Sequence, residues 1–168
     1  APGQFLKFPI TPGTASKSLG FVGILEALAD GYPLDLSGQL ASDSLSLVYN
    51  QKEVYSDTGA RLASASLNRL VLIVEVKNLS ALNQTLEAWG SKLAVNMAPV
   101  FGIDKIVAMK AVFSQSTYKD IVVRYANFPY PDRSIDYAVI PATNKKNYLV
   151  MTNSRESMFS TIDRLRVR

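Results

Sequence analysis

Strand-like segments separated by short turns fill the second half of this sequence and constrain its fold most strongly. They lie at residues 106–113, 118–125, 135–140 and 148–152. A parallel pair of strands needs a crossover connection of about a dozen residues or more, and the stretches between these segments are shorter. The sequence therefore predicts antiparallel pairing in this half of the chain.

Two earlier segments also have the character of strands. Residues 70–76 are rich in β-branched side chains and apolar at consecutive positions, which is typical of a central strand buried on both faces. Residues 44–49 alternate apolar and polar side chains with a period of two, as a half-buried strand does.

One helix stands out, because apolar side chains recur with a period near 3.6 along it. These side chains are Leu82, Leu86, Trp89, Leu93 and Met97. We expect Ser80 to cap the start of this helix, and Pro99 with Gly102 to end it.

Two further helices are predicted, one from Ser16 to before Gly31 and one from near Ser154. Asn153 and Glu156 have the spacing of a capping box at the second of these. Together the elements predict a single α+β domain over residues 1–168. Its antiparallel or mixed sheet has about three helices packed on one face.

Composition removes several classes of chemistry. The chain has neither Cys nor His, which excludes thiol nucleophiles, disulfides, His-assisted serine catalysis and nearly every zinc or haem site. We therefore predict no metal site and no cofactor.

The net charge is +4, but the cations are spread singly through different elements rather than clustered with aromatic residues. This distribution favours a solvated surface over a nucleic-acid patch.

Acidic residues offer one catalytic alternative. Asp57-Thr58-Gly59 has the form of the aspartic protease turn, in which two Asp carboxyls share a proton. Only one such turn is present, so an Asp-based hydrolase would require a homodimer. Asp132 and Asp136 are also acidic, but nothing in the sequence places them near another acid.

An aromatic loop is the strongest candidate for a binding surface. The aromatic residues near it are Tyr118, Tyr125, Phe128, Tyr130 and Tyr137. Tyr and Phe beside Arg are favoured at protein interfaces. The predicted interface residues are Phe128, Tyr130, Asp132 and Arg133.

Two blocks of the sequence resemble the extracytoplasmic part of uncharacterised bacterial membrane-anchored proteins. One is the helix with Trp89, Leu93 and Met97. The other is the step Thr152-Asn153-Ser154-Arg155-Glu156 with Phe159. The likeness runs from about Leu70 onward. It implies an exported location and no catalytic residues.

We therefore expect a non-enzymatic protein-binding or assembly domain of a membrane-anchored envelope protein, located in the periplasm or on the cell surface. No window of the sequence is long and apolar enough to span a bilayer. Membrane contact would require an N-terminal segment preceding Ala1. The alternatives are the Asp57 hydrolase and a binder of small ligands or polysaccharides. The partner and the oligomeric state are not predicted.

Overall fold

A computed structural model describes residues 1–11, 13, 18–54, 58, 60–62 and 67–167. The described strands are β1 (Phe5–Lys7), β2 (Leu40–Asn50), β3 (Asn68–Val76), β4 (Ser114–Tyr118), β5 (Ile121–Asn127), β6 (Ser134–Pro141) and β7 (Asn147–Thr152). The described helices are α1 (Phe21–Leu28), α2 (Leu36–Gln39), α3 (Leu79–Phe101), α4 (Lys105–Ala108) and α5 (Arg155–Arg166). Among these, no helix combines the length and hydrophobicity that a membrane span requires.

The strands form one sheet in the order β1-β2-β3-β7-β6-β5-β4, and every neighbouring pair is antiparallel. The predicted α+β class and antiparallel sheet are thus confirmed. Between β3 and β4 the chain must cross four strand spacings, roughly 19 Å. The 23 residues of α3 span roughly 35 Å, so this helix is long enough to carry the chain across. Successive hairpins then return the chain to β7, beside β3.

Strand β3 lies inside the sheet, as its apolar sequence predicts. Val71 and Ile73 face one side of the sheet, and Leu72 and Val74 face the other. All four side chains are buried, because helices cover both sides. This double burial explains why the strand has no polar alternation.

The helices divide between two faces of the sheet. Helices α1 to α4 pack on what we call the first face, where the five apolar residues predicted for α3 are all buried. Helix α5 packs on the second face through Met158 and Ile162. The expectation that the helices share one face therefore fails for α5. The interior strands are apolar on both sides, so the second face also needs a cover.

One predicted strand is wrong, and another begins at a different residue. Residues 106–113 begin with α4 and continue as turns, because Asp104 Oδ1 accepts a hydrogen bond from the Val107 N–H and caps a helical turn. The strand predicted over residues 118–125 is β5, which begins only at Ile121, because Tyr118 ends β4 and a two-residue turn follows. Lys119 and Asp120 both adopt positive φ, which gives a two-residue connection the twist needed between β4 and β5.

The helix caps also differ from the predictions. Asn78, not Ser80, caps α3 by accepting a hydrogen bond from the Ala81 N–H. Gly102 ends α3, as predicted, in the left-handed conformation that favours glycine, whereas Pro99 lies inside the helix. Ser154 caps α5, because Asn153 Oδ1 instead accepts the Leu70 N–H at 2.9 Å.

Candidate functional site

Polar side chains cross the second face of the sheet at the end near the start of α5. Tyr49 of β2 lies opposite Arg69 of β3 in register. Further along, Asp136 of β6 lies between Tyr125 of β5 and Thr152 of β7. Residues directly opposite one another in neighbouring strands share a face, so the register brings these groups into one staggered row, with Tyr49 and Arg69 two positions beyond the level of Asp136 and Thr152.

A cleft of about 790 Å³ opens beside this row. One wall is the end of β2 and the residues after it, the opposite wall is the loop between β5 and β6, and the first turns of α5 close one side. Its lining residues are Tyr49, Gln51, Lys52, Glu53, Asn127, Phe128, Tyr130, Asp132, Arg133, Ser134, Arg155, Glu156, Phe159 and Ser160. The volume lies within the range of about 300–1,000 Å³ that is typical of ligand pockets.

The Glu156 carboxylate links α5 to the end of β2 through hydrogen bonds. Its Oε1 accepts hydrogen bonds from the Tyr49 hydroxyl at 2.6 Å and the Lys52 N–H at 2.9 Å, while Oε2 accepts the Glu53 N–H at 3.2 Å. Burial, reinforced by the Glu156 carboxylate, raises the pKa of Tyr49 to about 12. Tyr49 is therefore a neutral donor at physiological pH. Glu156 therefore makes hydrogen bonds to residues distant in the sequence and does not form the predicted capping box.

Arg69 holds the opposite wall in place. Its side chain is only 1% exposed. Nε donates to Gln51 Oε1 at 2.7 Å, and Nη2 donates to the carbonyl oxygen of Pro131 at 3.1 Å. Burial, together with the nearby charge of Arg133, lowers the pKa of Arg69 to about 10. The guanidinium thus remains charged at neutral pH and anchors the loop to the sheet.

Asp136 is the acidic residue of the row, and its pKa is raised. It is 1% exposed, and among the described residues its Oδ1 has no hydrogen-bond partner. Burial raises its pKa to about 6, against the opposing effects of the neighbouring Ser134 side chain and of the Arg155 charge. The Arg155 guanidinium itself lies over the ring of Tyr125, 5.4 Å from its centroid. Asp136 is not among the residues that line the cleft, so a molecule in the cleft does not face its carboxyl.

All four predicted interface residues line this cleft. Phe128 is only 7% exposed and packs in the core of the first face, so its ring anchors the loop instead of being offered to a partner. The Arg133 guanidinium lies 5.8 Å from the centroid of the half-buried Tyr130 ring and donates to the carbonyl oxygen of Gly102 at 2.8 Å. Asp132 is half-buried and adopts a positive φ in the turn.

Other aromatic residues of the predicted group pack against neighbouring rings. Tyr118 stacks on Phe159 with 4.0 Å between ring centroids, and Tyr137 meets Phe113 edge-on at 5.4 Å. Sequence reasoning missed Tyr49, Arg69 and Glu156. Arg69 did carry a signal, because it alternates with Val71 and Ile73 and so marks a cation on a buried face of β3.

Asp57 lies outside the described residues, so the hydrolase alternative stays a prediction. Within the described part of the chain, no group of three or more acidic side chains is placed to hold a metal ion. No family model, curated protein or solved structure matches the chain.

Proposed function

We propose that this chain is a non-enzymatic protein-binding domain, and that the cleft between the loop 128–133 and α5 holds a segment of the partner polypeptide. The proposal rests on the lining of the cleft. An opening of about 790 Å³ brings together all four residues that the sequence predicts for an interface. Concave sites with a few convergent polar groups are the usual places for ligands.

The charges of the cleft favour a polypeptide of mixed character. Lys52, Arg133 and Arg155 contribute positive charges, and Glu53, Asp132 and Glu156 contribute negative ones. Such a balance disfavours a nucleic-acid backbone, which requires an excess of cations. Tyr and Arg side chains are also enriched where proteins meet.

Glu156 and Asp136 are not placed to act as a catalytic pair of carboxyls. Glu156 is held by three donors, and Asp136 is buried behind the lining of the cleft. Catalysis by two carboxyls requires both groups to face the same bound substrate. Glu156 and Asp136 do not meet that condition.

We also propose that binding takes place outside the cytoplasm, in a protein anchored to the membrane by a segment preceding Ala1. The support is the resemblance carried by the Trp89 helix and by the step from Thr152 to Phe159. Fractionation of the source cells tests this location. Recovery of the protein in the cytosolic fraction would contradict it.

Selection from a random peptide library displayed on phage tests the binding function. We expect peptides selected on the immobilised chain to bind Tyr130→Ala and Arg133→Ala at least tenfold more weakly, because central Tyr and Arg residues dominate interface energies. Tyr148→Ala and Arg124→Ala are matched controls outside the cleft and should bind within about twofold of the parent chain. The proposal would be refuted if the control variants weakened peptide binding as much as the cleft variants do. It would also be refuted if none of the four variants weakened binding.

A further inference from the structure

Strand β4 forms one edge of the sheet and pairs with β5 alone among the described strands. Tyr118 and Ile121 close the two-residue connection between these strands. The closing pair of such a connection exchanges two hydrogen bonds, and the direction of the backbone groups alternates along a strand. The N–H and C=O groups of Gln115 and Thr117 therefore point away from β5, at the open edge of the sheet.

This edge lacks the features that usually prevent a strand from pairing with another chain. Edges are normally protected by short strands, charged side chains or proline. The opposite edge has all three, because β1 is only three residues long, ends with Lys7 and is soon followed by Pro9. Strand β4 has five residues, Ser-Gln-Ser-Thr-Tyr, with neither a charge nor a proline. A further strand can therefore pair with it.

An exposed apolar stripe precedes β4. It consists of Ile106, Met109 and Val112, which recur at every third position along α4 and the turns after it. Their exposed fractions are 67%, 68% and 81%. Ala108 of the same segment is buried in the core of the first face, so the stripe belongs to the layer of helices on that face. Clustered large apolar side chains on a surface mark sites of association.

An edge groove of about 620 Å³ lies between the start of α3 and strands β5 and β6. It opens on the first face, because Leu86 of its lining belongs to that core. Leu79 and Val122 contribute apolar side chains that are 40% and 51% exposed. Gln115 and Asp120 also line it, so the groove reaches the open edge near the end of β4. The stripe and the edge groove thus lie at opposite ends of the same edge strand.

We propose that two copies of this chain pair their β4 strands antiparallel about a two-fold axis at Ser116, with the stripe of each copy in the edge groove of the other. The outward backbone groups of Gln115 then exchange two hydrogen bonds with those of the second copy's Thr117, and symmetry repeats the pair. Ser116 lies opposite its own copy, and no charged side chain lies in the paired segment. This surface is separate from the cleft beside the loop 128–133, so either can fail without the other.

The same register joins the stripe of one copy to the edge groove of the other. Val112 lies four residues before the axis, level with the second copy's Asp120, four residues after it. The axis is perpendicular to the sheet, so the first faces of both copies lie on the same side. The edge groove is acidic, because Glu87 and Asp120 outnumber its one cation, Arg124. Lys110, inside the stripe, brings the opposite charge to it.

A single introduced Cys tests the register directly, because the chain has none. Opposite residues of a non-hydrogen-bonded antiparallel pair have Cα atoms about 4.5 Å apart, within reach of a disulfide. We expect Ser116→Cys to form a disulfide-linked dimer when the full chain is oxidised with diamide. Thr117→Cys is the matched control. Its two copies are offset along the strands by about 8 Å or more, beyond the disulfide limit of about 7 Å, and should cross-link at least tenfold more slowly.

Sedimentation equilibrium of the full chain from about 1 to 300 µM measures the association itself. We expect the parent chain to dimerise in this range. Val112→Asp should weaken dimerisation at least tenfold, because it sets a carboxylate beside the second copy's Asp120. Thr117→Pro should weaken it by a similar factor, because proline removes an N–H that points away from β5 and leaves the bonds to β5 in place.

Leu34→Asp is the matched control for the stripe. Leu34 is an apolar residue that is 80% exposed, between α1 and α2, and its variant should dimerise as the parent does. The proposal is overturned if the parent chain stays monomeric, or if both Cys variants cross-link at the same rate. It is also overturned if either Val112→Asp or Thr117→Pro dimerises as the parent does.

Discussion

Asp136→Asn should make the protein more stable at neutral pH. The carboxyl of Asp136 is buried near the start of β6, and its Oδ1 has no partner among the described residues. Burial raises its pKa from the ordinary 3.8 to about 6. Asparagine has nearly the same shape and carries no charge, so the substitution removes the cost of burying the carboxylate.

The size and sign of the effect follow from the pKa. Because the folded pKa lies above the unfolded one, the folded state binds more protons between these two values. The stability that this group contributes is complete below about pH 4 and is lost as the pH rises through about 6. A shift of about two pKa units corresponds to about 3 kcal/mol. We therefore expect Asp136→Asn to exceed the parent by about 3 kcal/mol at pH 7.5 and to match it near pH 4.

Urea unfolding across this pH range measures the difference. Asp43→Asn, at an exposed position of β2, controls for the loss of one negative charge. The difference between Asp136→Asn and the parent should grow between about pH 4 and 6 and then level off. A difference that does not change with pH, or an Asn variant less stable than the parent at neutral pH, would refute the reasoning.

Two further predictions concern backbone conformation and the wall of the cleft. Gly90→Ala within α3 should stabilise the protein by about 1 kcal/mol, because an added methyl group meets nothing within 4 Å and alanine favours the helix. Gly102→Ala should destabilise it by about 1 kcal/mol, because φ is +62° there. Thermal unfolding measures both, and shifts of the same sign would contradict the reasoning. Arg69→Met should cost about 2–4 kcal/mol in urea unfolding, because Gln51 and Pro131 lose their donor. It should also speed hydrogen exchange in residues 128–133, and unchanged exchange would show that Arg69 does not hold that loop.

Local periodicity made much of the fold predictable. The stripe from Leu82 to Met97 repeats at helical spacing, and those positions are buried against the sheet. Strand β3 was predictable because apolar side chains at consecutive positions indicate burial on both faces. The strand predicted at residues 106–113 was wrong, because a short apolar stretch does not distinguish a strand from helical turns. The hydrogen bond from the Val107 N–H to Asp104 Oδ1 caps a helical turn at this position.

The cleft depends on strand order, which sequence patterns do not contain. Tyr49 and Glu156 are 107 residues apart, and they meet because β7 returns beside β3 and leads directly into α5. Arg69 joins them through its register opposite Tyr49. The loop 128–133 was recognisable from its aromatic and charged residues, but the burial of Phe128 follows from tertiary packing.

The most direct test of the proposed function is to map a selected peptide onto the protein. Backbone amide signals of the ¹⁵N-labelled chain are recorded during titration with the tightest peptide from the phage selection. We expect the largest shifts in the loop 128–133 and in the first two turns of α5, which line the cleft. Unchanged signals in both segments, with shifts confined to another part of the chain, would contradict the account.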